Sequence, residues 1–228
     1  MDTFADRKER RFTVERLIVF DLDGTLIDSV GGIAESVNRT RRDFGLPVLP
    51  ESTIAAFTGD GARKLLERAV RGETLPVSFE EAVAVMVRHY AEDPLYHTSL
   101  YPGVAEGLAE LKRAGWRLAA VSNKPQLVGE KILAGLGIRQ LLDDNIGGGG
   151  GFPLKPAPDA ILHLLAKYGA VREHSFVVGD NHTDMNAARN AGLRGIFCTY
   201  GFGIRNDTPA ETEVDSFGAL TAYLATAG

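Results

Sequence analysis

Leu17-Ile18-Val19-Phe20-Asp21-Leu22-Asp23-Gly24-Thr25-Leu26-Ile27-Asp28-Ser29 opens as a wholly apolar run with β-branched residues and closes in carboxylates around a glycine. A short run of this kind reads as a strand buried on both faces of a parallel sheet. Charge therefore enters where the strand stops, and open α/β sheets bind ligands in the crevice beyond the carboxyl ends of their strands. Asp21 and Asp23 stand two apart, so an extended chain turns both carboxylates to one side and Leu22 to the other. Carboxylates brought together repel, and a hard divalent cation relieves that repulsion. Magnesium suits such a site, because it takes oxygen ligands and keeps waters and a substrate phosphate in its shell. Gly24 permits a sharp turn, and Thr25 offers a hydroxyl and an amide to an anion. Taken alone, Asp-Leu-Asp-Gly-Thr also reads as a polar turn after a strand.

The whole string Asp-Leu-Asp-Gly-Thr-Leu-Ile-Asp-Ser, placed after a first apolar strand, resembles the opening motif of the haloacid dehalogenase superfamily of phosphohydrolases. The resemblance implies that Asp21 is a nucleophile that becomes an aspartyl phosphate, and that Asp23 is the general acid and base. The chemistry is sound on its own terms. A carboxylate nucleophile splits one hard hydrolysis into two displacements, and phosphoryl transfer mostly needs alignment and charge neutralisation.

The 228 residues suit one large domain or a core with a modest insertion. A formal net charge of −5 argues against nucleic acid or an anionic membrane surface as the general partner, so an anionic substrate must be held locally. Cys198 is the only cysteine and lies in an apolar run, which reads as a packed thiol and fits a reducing cytoplasm. Met1 to Arg16 lacks an apolar signal region and reads as a frayed extension, and no later apolar run is long enough to span a bilayer.

From about residue 29 to 98 the pattern turns helical. Ile33, Val37 and Phe44 recur at roughly helical spacing, and Phe79, Val83, Met86, Val87 and Tyr90 form a clearer stripe. This interval is expected to be an inserted helical bundle, with Gly31-Gly32 and the stretch from Pro94 to Pro102 as hinges. Inside it, Thr58-Gly59-Asp60-Gly61-Ala62-Arg63-Lys64 places two glycines and a helix start ahead of two cations. That reads either as an anion site or as an ordinary loop entering a surface helix. The string resembles the cap segment of phosphoglycolate phosphatases, which covers the active site; the resemblance makes Gly59 and Arg63 candidate substrate contacts.

After Tyr101 strands and helices alternate. Trp116 to Val121 reads as a buried strand ending in Ser122-Asn123-Lys124-Pro125, where Ser122 could bind a phosphoryl oxygen or the pair could serve as a turn or helix cap. It matches the superfamily's second motif, and this makes Ser122 catalytic and Asn123 a substrate contact. The five glycines Gly147 to Gly151 read as a flexible loop, since no helix start follows them directly. Lys155, held between Pro153 and Pro156, is a compact charge on a restrained loop. Lys-Pro-Ala-Pro-Asp matches the third motif, whose lysine stabilises the nucleophile and the phosphoryl oxygens. Ser175 to Gly179 forms another buried strand, leaving through Asp180-Asn181-His182-Thr183-Asp184. With a helix starting near Thr183, one acid reaches a cation and the other supports the lysine or a metal-bound water, although Asp184 is also a natural first-turn acid. The segment resembles the fourth motif along its length, with Asn181 where relatives often carry Ser or Thr. His182 reads as a loop residue near substrate. Ser216 is expected to cap a last helix.

Together these readings give an α/β protein with a Rossmann-like parallel-sheet core over residues 1–28 and 99–228 and a helical cap over 29–98. The expected catalytic residues are Asp21, Asp23, Ser122 and Lys155; Thr25, Asn123, Gly59 and Arg63 are the expected substrate contacts. Asp21, Asp23 and Asp180 are the expected magnesium ligands, supported by Asp184. The resemblance implies a cytoplasmic phosphatase of a small phosphorylated metabolite, foremost phosphoglycolate, with no nucleic acid or membrane as partner. Pyrophosphatases, sugar-phosphate phosphatases and β-phosphoglucomutase-like enzymes share the same core motifs. A non-catalytic module that binds a phosphorylated ligand would be expected to have lost Asp21 or Asp23.

Overall fold

The computed structural model describes residues 15–227, so most of the stretch read as a frayed N-terminal extension lies outside the described residues. In chain order the elements are β1 (Leu17–Phe20), β2 (Ile27–Asp28), α1 (Val30–Asp43), α2 (Glu51–Ala55), α3 (Ala62–Ala69), α4 (Phe79–Glu92) and β3 (Ser99–Leu100). Then follow α5 (Val104–Arg113), β4 (Arg117–Pro125), α6 (Gln126–Gly135), β5 (Asp144–Gly148), α7 (Asp159–Tyr168), β6 (Phe176–Gly179), α8 (His182–Ala191), β7 (Arg194–Cys198), β8 (Thr212–Val214) and α9 (Phe217–Thr226). Six strands form one parallel sheet in the order β5-β4-β1-β6-β7-β8.

The first apolar run occupies the centre of this sheet, between β4 and β6, and its four residues are fully buried. Successive side chains take opposite faces: Ile18 and Phe20 join the core under α5, α6 and α9, while Leu17 and Val19 join the one under α7 and α8. Each large side chain buried this way contributes about 1.5–3 kcal/mol, which explains why the run carries no polar residue until it leaves the sheet at Asp21.

Helices α1 to α4 fall in the interval read as an insertion, and β2 and β3 pair antiparallel where that interval leaves and rejoins the sheet region. The stripe on α4 buries Ala82, Met86 and Tyr90, and Ser78 with Glu81 closes its start as a capping box. Arg41 on α1 is buried; it donates to the carbonyls of Pro47 and Ala69 and pairs with Glu73, which ties α1 to the end of α3.

Three expectations change. Gly31 and Gly32 lie inside α1, where an added Cβ would come within 2.6 Å of the His97 side chain and 2.7 Å of the Tyr96 carbonyl. They serve close packing rather than a hinge loop. The strand expected to end at Val121 continues through Pro125, because β5 pairs with it as far as Gly148. Gly147 and Gly148 are accordingly strand residues; a Cβ on Gly147 would stand 2.8 Å from the Lys124 carbonyl. Helix α8 starts at His182, with Asn181 as its cap, and Ser216 caps α9 as expected.

Candidate active site

From β1 the chain crosses to β4 on one side and later returns to β6 on the other, so the crevice at the carboxyl end of β1 is the switch point of the sheet. Asp21 and Asp23 leave β1 there. Ser122, Asn123 and Lys124 lie on the neighbouring β4, and Asp180 leaves the other neighbour, β6. The Asp21 amide still donates to the Val178 carbonyl at 2.9 Å, so the sheet ladder itself fixes the first carboxylate. Lys155 arrives from the loop after β5, held by Asn123: the Asn123 Oδ1 accepts from the Lys155 amide at 2.8 Å, and its Nδ2 donates to the Lys155 carbonyl at 2.9 Å.

Asp21, Asp180 and Asp184 bring carboxylate oxygens within 4.8 Å of one another, all buried. Lys155 Nζ stands 2.7 Å from Asp184 Oδ1 and 2.8 Å from Asp21 Oδ1. The one ammonium is thus shared between Asp184 and Asp21. Asp184 is engaged on both oxygens, since Oδ2 accepts from the Asn181 amide at 3.0 Å. One buried ammonium therefore faces three buried carboxylates, and the acid–base balance follows. Burial pushes the Asp21 carboxyl up to about 6, against the pull of Lys155, with Asp184 and Asp23 adding to the rise. Burial, then Asp184 and Asp21, hold Asp180 well above the usual carboxylate range. Burial opposes charge on Lys155, but Asp184 and Asp21 outweigh it and the lysine is held charged.

The donor set fits a hard divalent cation: oxygen ligands only, and three buried carboxylates within 4.8 Å of one another against one shared ammonium. Asp21 and Asp180 are the two acids of the cluster that Lys155 and Asn181 leave least committed. Asp180 is set by contact. Its Oδ2 accepts from the Gly203 amide at 2.7 Å, and a Cβ on Gly24, whose φ is +79°, would lie 1.8 Å from that oxygen. Only glycine fits at that position.

The Asp23 side chain stands outside the three-acid cluster. Its Oδ1 accepts from Ser29 Oγ and from Lys124 Nζ, the latter at 2.7 Å, and Lys124 Nζ in turn donates to the Tyr90 hydroxyl at 2.6 Å. Ser122 Oγ accepts from the Lys124 amide at 3.2 Å, which leaves its own proton to be donated into the crevice. Asn123 spends its amide on Lys155 and on the Gly59 carbonyl at 2.8 Å, so it positions two loops.

A cleft between the sheet edge and the helical insertion is lined by Asp21, Asp23, Ser122, Asp180, Lys124 and Gly59, among others. Other expected contacts lie elsewhere. Thr25 is fully buried beneath the site, its carbonyl accepting from the Tyr200 hydroxyl. Arg63 is exposed, paired with Glu80 and laid over the Phe79 ring, and does not line the cleft. His182 borders a neighbouring groove with Asp60 and Arg68. Lys124 and Tyr90 also line the cleft, and the sequence does not mark them as site residues. Their one sequence signal was a lysine following Ser122-Asn123, and the tyrosine that meets it lies in the apolar stripe of α4.

The haloacid dehalogenase-like hydrolase family model matches residues 18–198. A plasmid phosphoglycolate phosphatase of Cupriavidus necator is 37% identical over 212 residues, covering 91% of this chain and 92% of that one. The crystal structure of a predicted phosphoglycolate phosphatase from Haemophilus somnus superimposes with a TM-score of 0.86 at 32% identity, covering 93% of this chain and 99% of that one. CbbY from Rhodobacter sphaeroides, solved in complex with phosphate, gives a TM-score of 0.76 at 25% identity, covering 90% and 95% of the two chains.

Proposed function

Because this chain belongs to the haloacid dehalogenase-like hydrolases, we propose that its carboxylate crevice hydrolyses a small phosphate monoester, foremost 2-phosphoglycolate, with magnesium as cofactor. The observation that carries the reading is Lys155 drawn between Asp21 and Asp184 at the switch point, beside Asp180 and under a helical cover. The choice of substrate is supported by the phosphoglycolate phosphatase of Cupriavidus necator and the predicted one of Haemophilus somnus, which this chain matches over nearly their whole length.

Asp21 attacks phosphorus in line, forming the aspartyl phosphate as the bond to the leaving oxygen breaks. Asp23, held on Oδ1 by Ser29 and Lys124, presents Oδ2 to carry a proton to the departing alcohol. The same carboxylate then takes a proton from the water that attacks phosphorus, releasing phosphate and restoring Asp21. Lys155 and the Ser122 hydroxyl offset charge on the phosphoryl oxygens. Asp21 and Asp180 would hold magnesium, which would supply further neutralisation of charge on those oxygens. Within the described residues, 29–98 act as a cap on the core formed by 15–28 and 99–227, excluding bulk water when closed. The buried thiol of Cys198 fits a reducing cytoplasm.

The test is phosphate release with and without magnesium from phosphoglycolate, pyrophosphate, a sugar phosphate and an aryl phosphate. Magnesium-dependent release led by phosphoglycolate is expected. A different leader would replace the substrate and keep the chemistry, and no release from any of them would overturn the reading.

A further inference from the structure

The cleft wall supplied by the helical insertion is largely apolar, with Ile33, Leu65, Met86 and Val87 facing the site. Among the described residues lining the cleft, Lys124 carries the only positive charge. It is 5% exposed, and a cation buried to that degree needs partners. Two are present, Asp23 Oδ1 at 2.7 Å and the Tyr90 hydroxyl at 2.6 Å. An ammonium has three N–H donors, so one remains for the cleft. Burial disfavours its charge, but Asp23 and Tyr90 outweigh that and keep it protonated.

Position along the substrate follows from the chemistry already assigned. Asp21, Ser122 and Lys155 meet the phosphoryl group, and Asp23 stands at the ester oxygen. Lys124 is bonded to that same Asp23 carboxylate and to Tyr90 of α4, so a group that it takes is the next one along the substrate after the ester oxygen. In phosphoglycolate that next group is the carboxylate. An uncharged tail would bring nothing to the third donor while excluding the water that could satisfy it.

We propose that Lys124 is a specificity-determining residue that takes the second anionic group of the substrate, a tail carboxylate, between the core strand and the helical insertion. The inference rests on the phosphatase reading above. It explains how a chain of net charge −5 selects a substrate with negative charge at both ends.

The experiment compares kcat/KM for phosphoglycolate and for ethyl phosphate, which has the same short tail without the carboxylate, in the wild type, Lys124→Met and Tyr90→Phe. Wild type should prefer phosphoglycolate, and Lys124→Met should reduce that preference by about 10- to 100-fold, mainly through KM for the carboxylated ester. Tyr90→Phe, which keeps the ammonium, should reduce it less. If Lys124→Met depresses both esters in parallel and the preference is unchanged, the proposal is overturned, because Lys124 then serves only to hold Asp23. Equal kcat/KM for the two esters in the wild type would overturn it without any variant. Failure of the wild type to release phosphate from either ester is a separate result that removes the phosphatase reading and this inference with it.

Discussion

Gly24 and Lys155 show how single positions set the site. A Cβ on Gly24 would lie 1.8 Å from Asp180 Oδ2, at a φ of +79° that side chains other than glycine resist. Gly24→Ala should therefore push Asp180 off its place, lowering kcat/KM by about 100-fold, because ångström misplacement of a reacting constellation costs that much. Calorimetric titration with magnesium should show weaker binding in the same variant. Lys155→Met leaves Asp21 and Asp184 buried without their cation, and breaking a buried ion pair from one side costs about 3–5 kcal/mol. Urea unfolding should report that loss, and magnesium should recover part of it, since a second cation can meet Asp21. A loss of stability that magnesium leaves untouched would argue against a metal site at this cluster.

Among elements, β4 carries more of the site than its sequence suggests. Asn123 on that strand bonds the Lys155 loop and the Gly59 loop of the helical insertion at once. Asn123→Ala should raise hydrogen exchange in both loops together and lower activity while the sheet stays protected; exchange rising in one loop alone would contradict a shared tether. The strand ends that carry acid were legible because buried apolar runs stop at carboxylates again and again in this chain, and the position of Asp180 and Asp184 after a strand, with the resemblance to the fourth motif, made that pair readable too. The continuation of β4 through Pro125 was not legible. It depends on the pairing of Pro125 with Gly148 across an irregularity in the ladder, and a run of glycines carries no strand signal of its own. The meeting of Lys124 with Tyr90 was hidden for a related reason: the two belong to different elements, and each alone fits a plain structural role. Arg63 shows the converse, a helix start that looked like an anion site but whose cation turns to Glu80 on the surface.

At the scale of the molecule, the fold gathers negative charge that the sheet alone does not balance, and stability should record it. Folding raises the Asp21 carboxyl from 3.8 to about 6, so the native state holds that proton more tightly than the unfolded chain does. Between those values the native state binds more protons, and metal-free stability therefore falls as pH rises through the window. A cation bound only by the native state adds stability, and protonation of Asp21 competes with it. Thermal melts in chelator and in magnesium should thus diverge as pH rises through about 6 and converge below it. A gap independent of pH would contradict the assignment of Asp21 to the metal. The proposed role of Asp21 as nucleophile is tested most directly by magnesium-dependent phosphate release from phosphoglycolate by the wild type and by a folded Asp21→Asn variant. The wild type should turn over and the variant should stay at background; turnover surviving in Asp21→Asn would rule Asp21 out as the nucleophile.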